Sequence, residues 1–270
     1  MNQKNFEYLR DQVKFTGFGE GLENELKEKM QKQSSQFLLY HQGSFGKDST
    51  AAVLHFRKSD QSDMYFFNKY DLTMKQENKP EVMNQTFYLN KEHNVTLKEA
   101  YNLLNGRSVN KDLTNKEGQI YNAWIKLDMK DTDHNGNYKI KQFHQNYGFD
   151  LEKALAKHPI KELNNEQDKS ALLNSLQKGN RQVVTFVQNG SEQRHFIEAN
   201  PQFKSVTIYN GNMQRLSNKE VKEEKQSQAE TNSPRQEAKK ERKSQNNDED
   251  IYAVPKAAKR RTRKQGQSVS

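Results

Sequence analysis

From Ser217 onward this chain almost stops carrying side chains that can build a core. Tyr209 is the last aromatic before that point and Tyr252 the only one after it. Any packed body must therefore come from residues 1–216. The remainder, 217–270, is dominated by Lys, Glu, Gln, Ser and Asn. Such a stretch cannot bury enough apolar surface to offset its chain entropy, and it is expected to be disordered. The uneven distribution accounts for a hydrophobic content of only 31% and a mean hydropathy of −1.20 over the whole chain. Charge divides the same way: of a net +9, the tail carries 14 Lys and Arg against 9 Asp and Glu, a net of +5 on a flexible carrier.

Within the body the apolar spacing changes period. Phe6, Leu9 and Val13 recur at i, i+3 and i+7, which predicts an amphipathic helix broken by FTGFGEG; Leu22, Leu26 and Met30 predict a second. FLLYH, TAAVLHF, DMYFFNKY and QTFYL are short β-rich runs separated by turn residues, and they predict an antiparallel meander of four strands. Thr96-Leu-Lys-Glu99 is a capping box that opens a third helix, and Gly106 is placed to stop it with positive φ. Strands are expected at 108–113, in IYNAWIKLD and in YKIKQF. A short helix around Leu151, Ala154 and Leu155 cannot continue into Pro159.

From Pro159 to Leu216 the plan repeats. A helix carrying Leu172, Leu173 and Leu176 ends at Gly179; RQVVTFV, an Asn189-Gly190 hairpin turn, EQRHFIEA and SVTIY follow. Leu103-Leu104-Asn-Gly106 aligns with Leu176-Gln-Lys-Gly179, and Ala123-Trp-Ile125 loosely parallels Phe196-Ile197. The reading is a degenerate helix–β-hairpin–strand unit present twice. The expected fold class is α+β, with small antiparallel sheets and packed helices. The expected segments are helices and a meander over 1–93, one helix–β unit over 94–158, a second over 159–216, and the tail over 217–270.

Several motifs hint at chemistry. Asp131-Thr-Asp133-His-Asn135-Gly136-Asn137 resembles the start of a calcium loop, but Gln142 stands where the bidentate carboxylate belongs and the flanks read as strands. A polar hairpin turn is expected instead. Gly43-Ser-Phe-Gly46-Lys47-Asp48-Ser49 has glycine spacing too short for a phosphate loop, and it places Asp48 where a hydroxyl should face magnesium. Gly17-x-Gly19-x-Gly21 lacks the strand a dinucleotide fingerprint requires and should join two helices. There is no cysteine, so disulfides, thiolate metal sites and a Cys nucleophile are excluded. The seven histidines, at 41, 55, 93, 134, 144, 158 and 195, form no close metal-binding pair. Gly-x-Ser-x-Gly is absent. No cofactor or metal is expected, and a non-enzymatic role is favoured. Trp124 and the aromatics of the strands are read as core side chains rather than a base-stacking platform. The N-terminus has no apolar signal region and no uninterrupted apolar run exceeds four residues, so a cytoplasmic protein with no membrane partner is expected.

One element does point to a partner. Lys256, Lys259, Arg260, Arg261, Arg263 and Lys264 place six cations in nine residues, directly after the acidic-then-apolar octet Asp248–Pro255. Nucleic-acid phosphate is the natural ligand of such a run, because neutralising phosphates releases counterions; DNA or RNA would be bound without regard to sequence. The alternative is a solubilising tail on a protein–protein interaction module, an adaptor or inhibitor, with Asp248–Pro255 as a docking motif.

FTGFGE, SDMYFFNKY, TLKEAYNLLNGR, GNYKIKQFHQNYGFDLEKAL, PIKEL, FIEANPQFKSVTIY and KRRTRKQ together resemble a domain-of-unknown-function family carried by Bacteroidetes genomes, often on conjugative transposons and related mobile elements. The resemblance runs over nearly the whole chain. It implies a bacterial, cytoplasmic accessory protein encoded beside DNA-processing genes, and it supplies no catalytic residues. Relatives sometimes carry topoisomerase- or primase-type names. Neither a topoisomerase tyrosine motif nor a primase zinc motif is visible in this sequence, so those activities are not transferred.

Overall fold

The computed structural model describes residues 1–90, 94–188, 190–217 and 220, and these form an α+β body. Helix α1 (Gln3–Val13) starts where the Asn2 side chain accepts from Asn5 N–H, and it buries Phe6, Leu9 and Val13. The helix does not stop at Phe15. It runs on through a π turn, Lys14–Phe18, in which Thr16 Oγ1 donates back to Gln12 O at 2.7 Å and Phe18 becomes buried. Gly17 kinks that turn from within at φ +105°, where a Cβ would lie 3.3 Å from Leu97 Cβ; the glycine therefore serves close packing as well as chain reversal. Helix α2 (Glu23–Gln31) follows and buries Leu26 and Met30.

Strands β1 (Gln36–Phe45), β2 (Asp48–Lys58), β3 (Tyr65–Lys75) and β4 (Val82–Tyr88) form the expected antiparallel meander, in the order β1-β2-β3-β4. Asn5 pins the start of β3: its Nδ2 donates to Tyr65 O and its Oδ1 accepts from Tyr65 N–H, so a buried helix side chain stands in for a missing strand partner. Gly46-Lys47 make the two-residue turn between β1 and β2, with Gly46 at φ +63°, so the segment suspected as a phosphate loop is a hairpin tip. One face of this sheet packs on α1, α2 and helix α3 (Leu97–Leu104) through Leu39, Leu54, Phe56, Phe67, Tyr70 and Leu72. Among the described residues no helix covers the other face. Tyr40, Phe66 and Tyr88 project from it and are 61%, 51% and 65% exposed. The expectation that strand aromatics are core is therefore wrong for these three. Period-2 alternation sends neighbouring aromatics to opposite faces, and among the described residues only one face of this sheet has a helical partner.

The capping box forms as expected, with Thr96 and Glu99 exchanging side-chain and backbone bonds. Strands β5 (Val109–Thr114), β6 (Ile120–Thr132) and β7 (Tyr138–His144) make a second antiparallel sheet, and β8 (Gln182–Gln188), β9 (Ser191–Asn200) and β10 (Ser205–Tyr209) a third. Between them lie α4 (Leu151–Leu155) and α5 (Glu166–Gln177), with 3-10 turns at Gln145–Tyr147 and Lys161–Asn164; a further 3-10 turn, Pro201–Phe203, joins β9 to β10. The β6–β7 connection, Asp133–Asn137, is a hairpin turn. Asp133 Oδ1 accepts from the N–H groups of Asn135 and Asn137, so the carboxylate that resembled a calcium ligand is occupied by its own turn.

Both helix–β units are built alike. α3 ends with Gly106 N–H bonding Leu103 O and Arg107 N–H bonding Asn102 O; α5 ends with Gly179 N–H bonding Leu176 O and Asn180 N–H bonding Ser175 O. The glycines sit at φ +72° and +76°. This is one C-capping motif used twice, each time followed by a three-stranded meander. The cores do not follow the sequence segments. Leu97–Leu104, Val109, Ile125 and Leu127 pack with the N-terminal sheet, whereas Trp124, Leu151, Ala154 and Leu155 pack with α5 and the third sheet. Strand β6 is the wall between the two cores, and its alternating side chains feed both.

Candidate functional site

A groove of about 770 Å³ opens where the first unit meets the second. One wall is α3, which presents Lys98 and Tyr101 at i, i+3 on one face. The β1–β2 hairpin tip supplies Phe45, Lys47 and Asp48. Arg107 follows the first stop glycine and Arg181 comes two residues after the second, so the repeated cap sets both arginines into the same groove.

Aromatic rings hold the cations in place. Phe45 and Tyr101 stack with centroids 4.4 Å apart, and Lys98 Nζ lies 4.6 and 4.9 Å from the two centroids. The Arg107 guanidinium lies 5.3 Å from the Tyr101 ring and that of Arg181 4.3 Å from Tyr209. Tyr101 itself is fixed by donating to Asp48 Oδ2 at 2.9 Å. Asn105 and Gln76 brace the rim through a 2.8 Å bond between their side chains.

The electrostatics are unbalanced. Glu198 accepts from Arg181 Nε at 2.6 Å and from Tyr209 OH at 2.8 Å, and stands 4.0 Å from Arg107 Nε. Arg107 has a side chain only 12% exposed, and its Nε makes no hydrogen bond within the described protein. Burial lowers the pKa of Arg107, with Glu198 opposing; burial also lowers that of Lys98, and Arg107 lowers it further. Among the described residues no carboxylate lies within ion-pair distance of Lys98. Arg107 and Arg181 thus share Glu198, while Lys98 pairs with no carboxylate among the described residues; Asp48 and Glu77 also line the groove. Across the groove Lys47 pairs with Glu77 at 3.2 Å, and the exposed Lys47 makes that pair weak. The arrangement can hold an oxyanion. Among the described residues, no histidine and no Ser or Thr lines the groove. Among the described residues no cluster of three His, Asp or Glu side chains is placed to hold a metal ion.

The six cations expected to bind nucleic acid, Lys256, Lys259, Arg260, Arg261, Arg263 and Lys264, lie outside the described residues. Lys98, Arg107 and Arg181 were not singled out from the sequence, because they are isolated cations up to 83 positions apart. The available signal was the cation that closely follows each helix-stop glycine. Among the described residues no helix is long and apolar enough to cross a membrane. No protein-family model matches the chain, and no curated protein and no solved structure matches it.

Proposed function

We propose that this chain is a non-enzymatic accessory protein of a bacterial mobile genetic element that binds nucleic acid through phosphate contacts. Contacts would be made by the body groove and by the basic run Lys256–Lys264. The observation that carries this reading is Arg107, a buried guanidinium whose Nε makes no hydrogen bond and has only a 4.0 Å ion pair with Glu198, beside Lys98, which has no carboxylate partner among the described residues. A buried donor left unsatisfied costs about 1–3 kcal/mol, and a phosphate oxygen in the groove removes that cost while neutralising surplus charge. The resemblance to mobile-element proteins and the charge of the tail support the same ligand.

Titration of the full-length protein with labelled duplex and single strands at several salt concentrations tests it. Lys98→Gln and Arg107→Gln should weaken binding to all sequences about equally and flatten the salt slope, by up to ~0.9 for each duplex phosphate no longer neutralised. Unchanged slopes with binding intact would remove the groove from the interface. No retention of DNA or RNA at low salt would reject the nucleic-acid reading. Recovery of a protein partner that survives nuclease and high salt would then favour the adaptor or inhibitor reading.

A further inference from the structure

A second concavity, of about 680 Å³, lies at the sheet end away from the β1–β2 tip, and Gln36, His55, Arg57, Asn68, Lys69 and Tyr88 are among its lining residues. A bulge shapes it. The β2–β3 register slips between His55 and Phe56, so Asn68 and Lys69 both turn away from the core while Phe67 and Tyr70 stay buried. Bulges that redirect side chains in this way recur next to functional sites.

Among the described residues the lining contains two cations and no carboxylate. Each cation stands beside an exposed ring on the neighbouring strand: Lys69 pairs with Tyr88 and Arg57 with Phe66. Competing acids are weak. Asp71 lies 3.8 Å from Lys69 but is engaged by His55 Nε2 at 2.6 Å and Thr86 Oγ1 at 2.7 Å. Asp60 holds Arg57 through an exposed ion pair, and such pairs contribute little. Among the described residues the side-chain amides of Gln36 and Asn68 make no hydrogen bond.

We infer that this concavity takes an unpaired nucleotide of a single-stranded nucleic acid. The base stacks on Tyr88, its edge meets the amides of Gln36 and Asn68, and Lys69 and Arg57 contact the flanking phosphates. The inference rests on the nucleic-acid reading and adds a strand preference, because a base inside a duplex cannot offer its face to Tyr88. The volume fits a ligand of nucleotide size, since small-ligand pockets run from about 300 to 1,000 Å³. A protein partner fits this face less well. Its rings are separated by Arg57, Lys69 and Thr86, whereas a protein hot spot needs a contiguous desolvated centre.

The test compares a labelled oligodeoxythymidine with a duplex of the same length, using full-length protein. Tyr88→Ala should weaken single-strand binding about tenfold and leave duplex binding and both salt slopes unchanged; Tyr88→Trp should restore single-strand affinity. Lys69→Gln should instead flatten the single-strand slope, by up to ~0.7. Tyr88 is largely exposed, so its replacement should not disturb folding. If wild type binds the oligomer and Tyr88→Ala binds it equally well, this site is wrong while the nucleic-acid reading stands. If wild type binds neither ligand, both fail together. A protein partner retained by wild type and released by Tyr88→Ala would assign the face to protein and overturn the inference.

Discussion

The side-chain amide of Asn102 donates to the main-chain carbonyl of Lys178 at 2.7 Å, joining the last turn of α3 to the end of α5 across 76 residues of sequence. The same Nδ2 also donates to Asn180 Oδ1 at 2.9 Å. The two copies of the helix–β unit therefore meet cap to cap, and this junction carries Arg107 and Arg181 into one groove.

Asn102 is fully buried, so its truncation leaves Lys178 O without its side-chain donor. Asn102→Ala should destabilise the fold by about 1–3 kcal/mol in urea denaturation. Asn102→Asp should cost more, because a carboxylate would face a carbonyl and an amide oxygen. A neutral result for Asn102→Asp would mean the two caps do not depend on this contact.

The two stop glycines share a conformation but not an environment. A Cβ on Gly106 meets nothing within 4 Å, whereas one on Gly179 would lie 2.9 Å from both Ser108 O and Val109 Cγ2. Gly106→Ala should cost about 1 kcal/mol, the left-handed backbone penalty alone. Gly179→Ala should cost at least twice as much, roughly 2–4 kcal/mol, because backbone must also shift. Equal denaturation midpoints for the two variants would contradict the junction.

Glu198 is the carboxylate that Arg107 and Arg181 share beside the groove. Glu198→Gln should destabilise the protein by about 2 kcal/mol, since Arg181 and Tyr209 lose an ionised acceptor. The same variant should bind phosphate-containing ligands more tightly, because the positive charge is no longer offset. Weaker binding at equal foldedness would show that Glu198 positions the arginines rather than competing with the ligand.

Acid sensitivity follows from capped and turn carboxylates. Asp150 accepts the Lys153 N–H at the start of α4, which lowers its pKa from the usual 3.8; the Asn137 N–H does the same for Asp133. With folded-state pKa values lowered, the unfolded chain binds more protons just below 3.8. This stabilisation is therefore complete above that value and lost as pH falls through the folded value. Asp150→Asn keeps an oxygen at the cap, so it should flatten the acid limb of a stability-against-pH curve while changing neutral stability little. An acid limb identical to wild type would exclude this contribution.

The tail's cations should act as a sum. Replacing Lys259, Arg260, Arg261 and Arg263 with Gln should flatten the salt slope of DNA binding without changing sequence preference, by up to ~0.9 for each duplex phosphate released. Combined with Arg107→Gln, the reductions should add. Identical slopes for wild type and the four-Gln variant would leave the tail a solubilising role.

Local signals fixed the elements. Thr96 and Glu99 announced α3, Gly106 and Gly179 its stop and that of α5, and the short β-rich runs the four-stranded meander. Each rests on interactions within a few residues, or on a period that one strand or helix carries by itself. The uneven spread of aromatics likewise located the packed body. Tertiary structure decided the rest. Trp124 and Ile125 are sequence neighbours that enter different cores, because β6 separates them. Tyr40 and Tyr70 are both strand tyrosines, yet one is 61% exposed and the other fully buried, because Tyr70 lies on the sheet face that packs against α1, α2 and α3 and Tyr40 on the opposite one. Arg107 and Arg181 are 74 positions apart, and Glu198 brings them together only once α3 and α5 dock cap to cap. Charge convergence of that kind depends on where whole elements pack, and no local propensity encodes it.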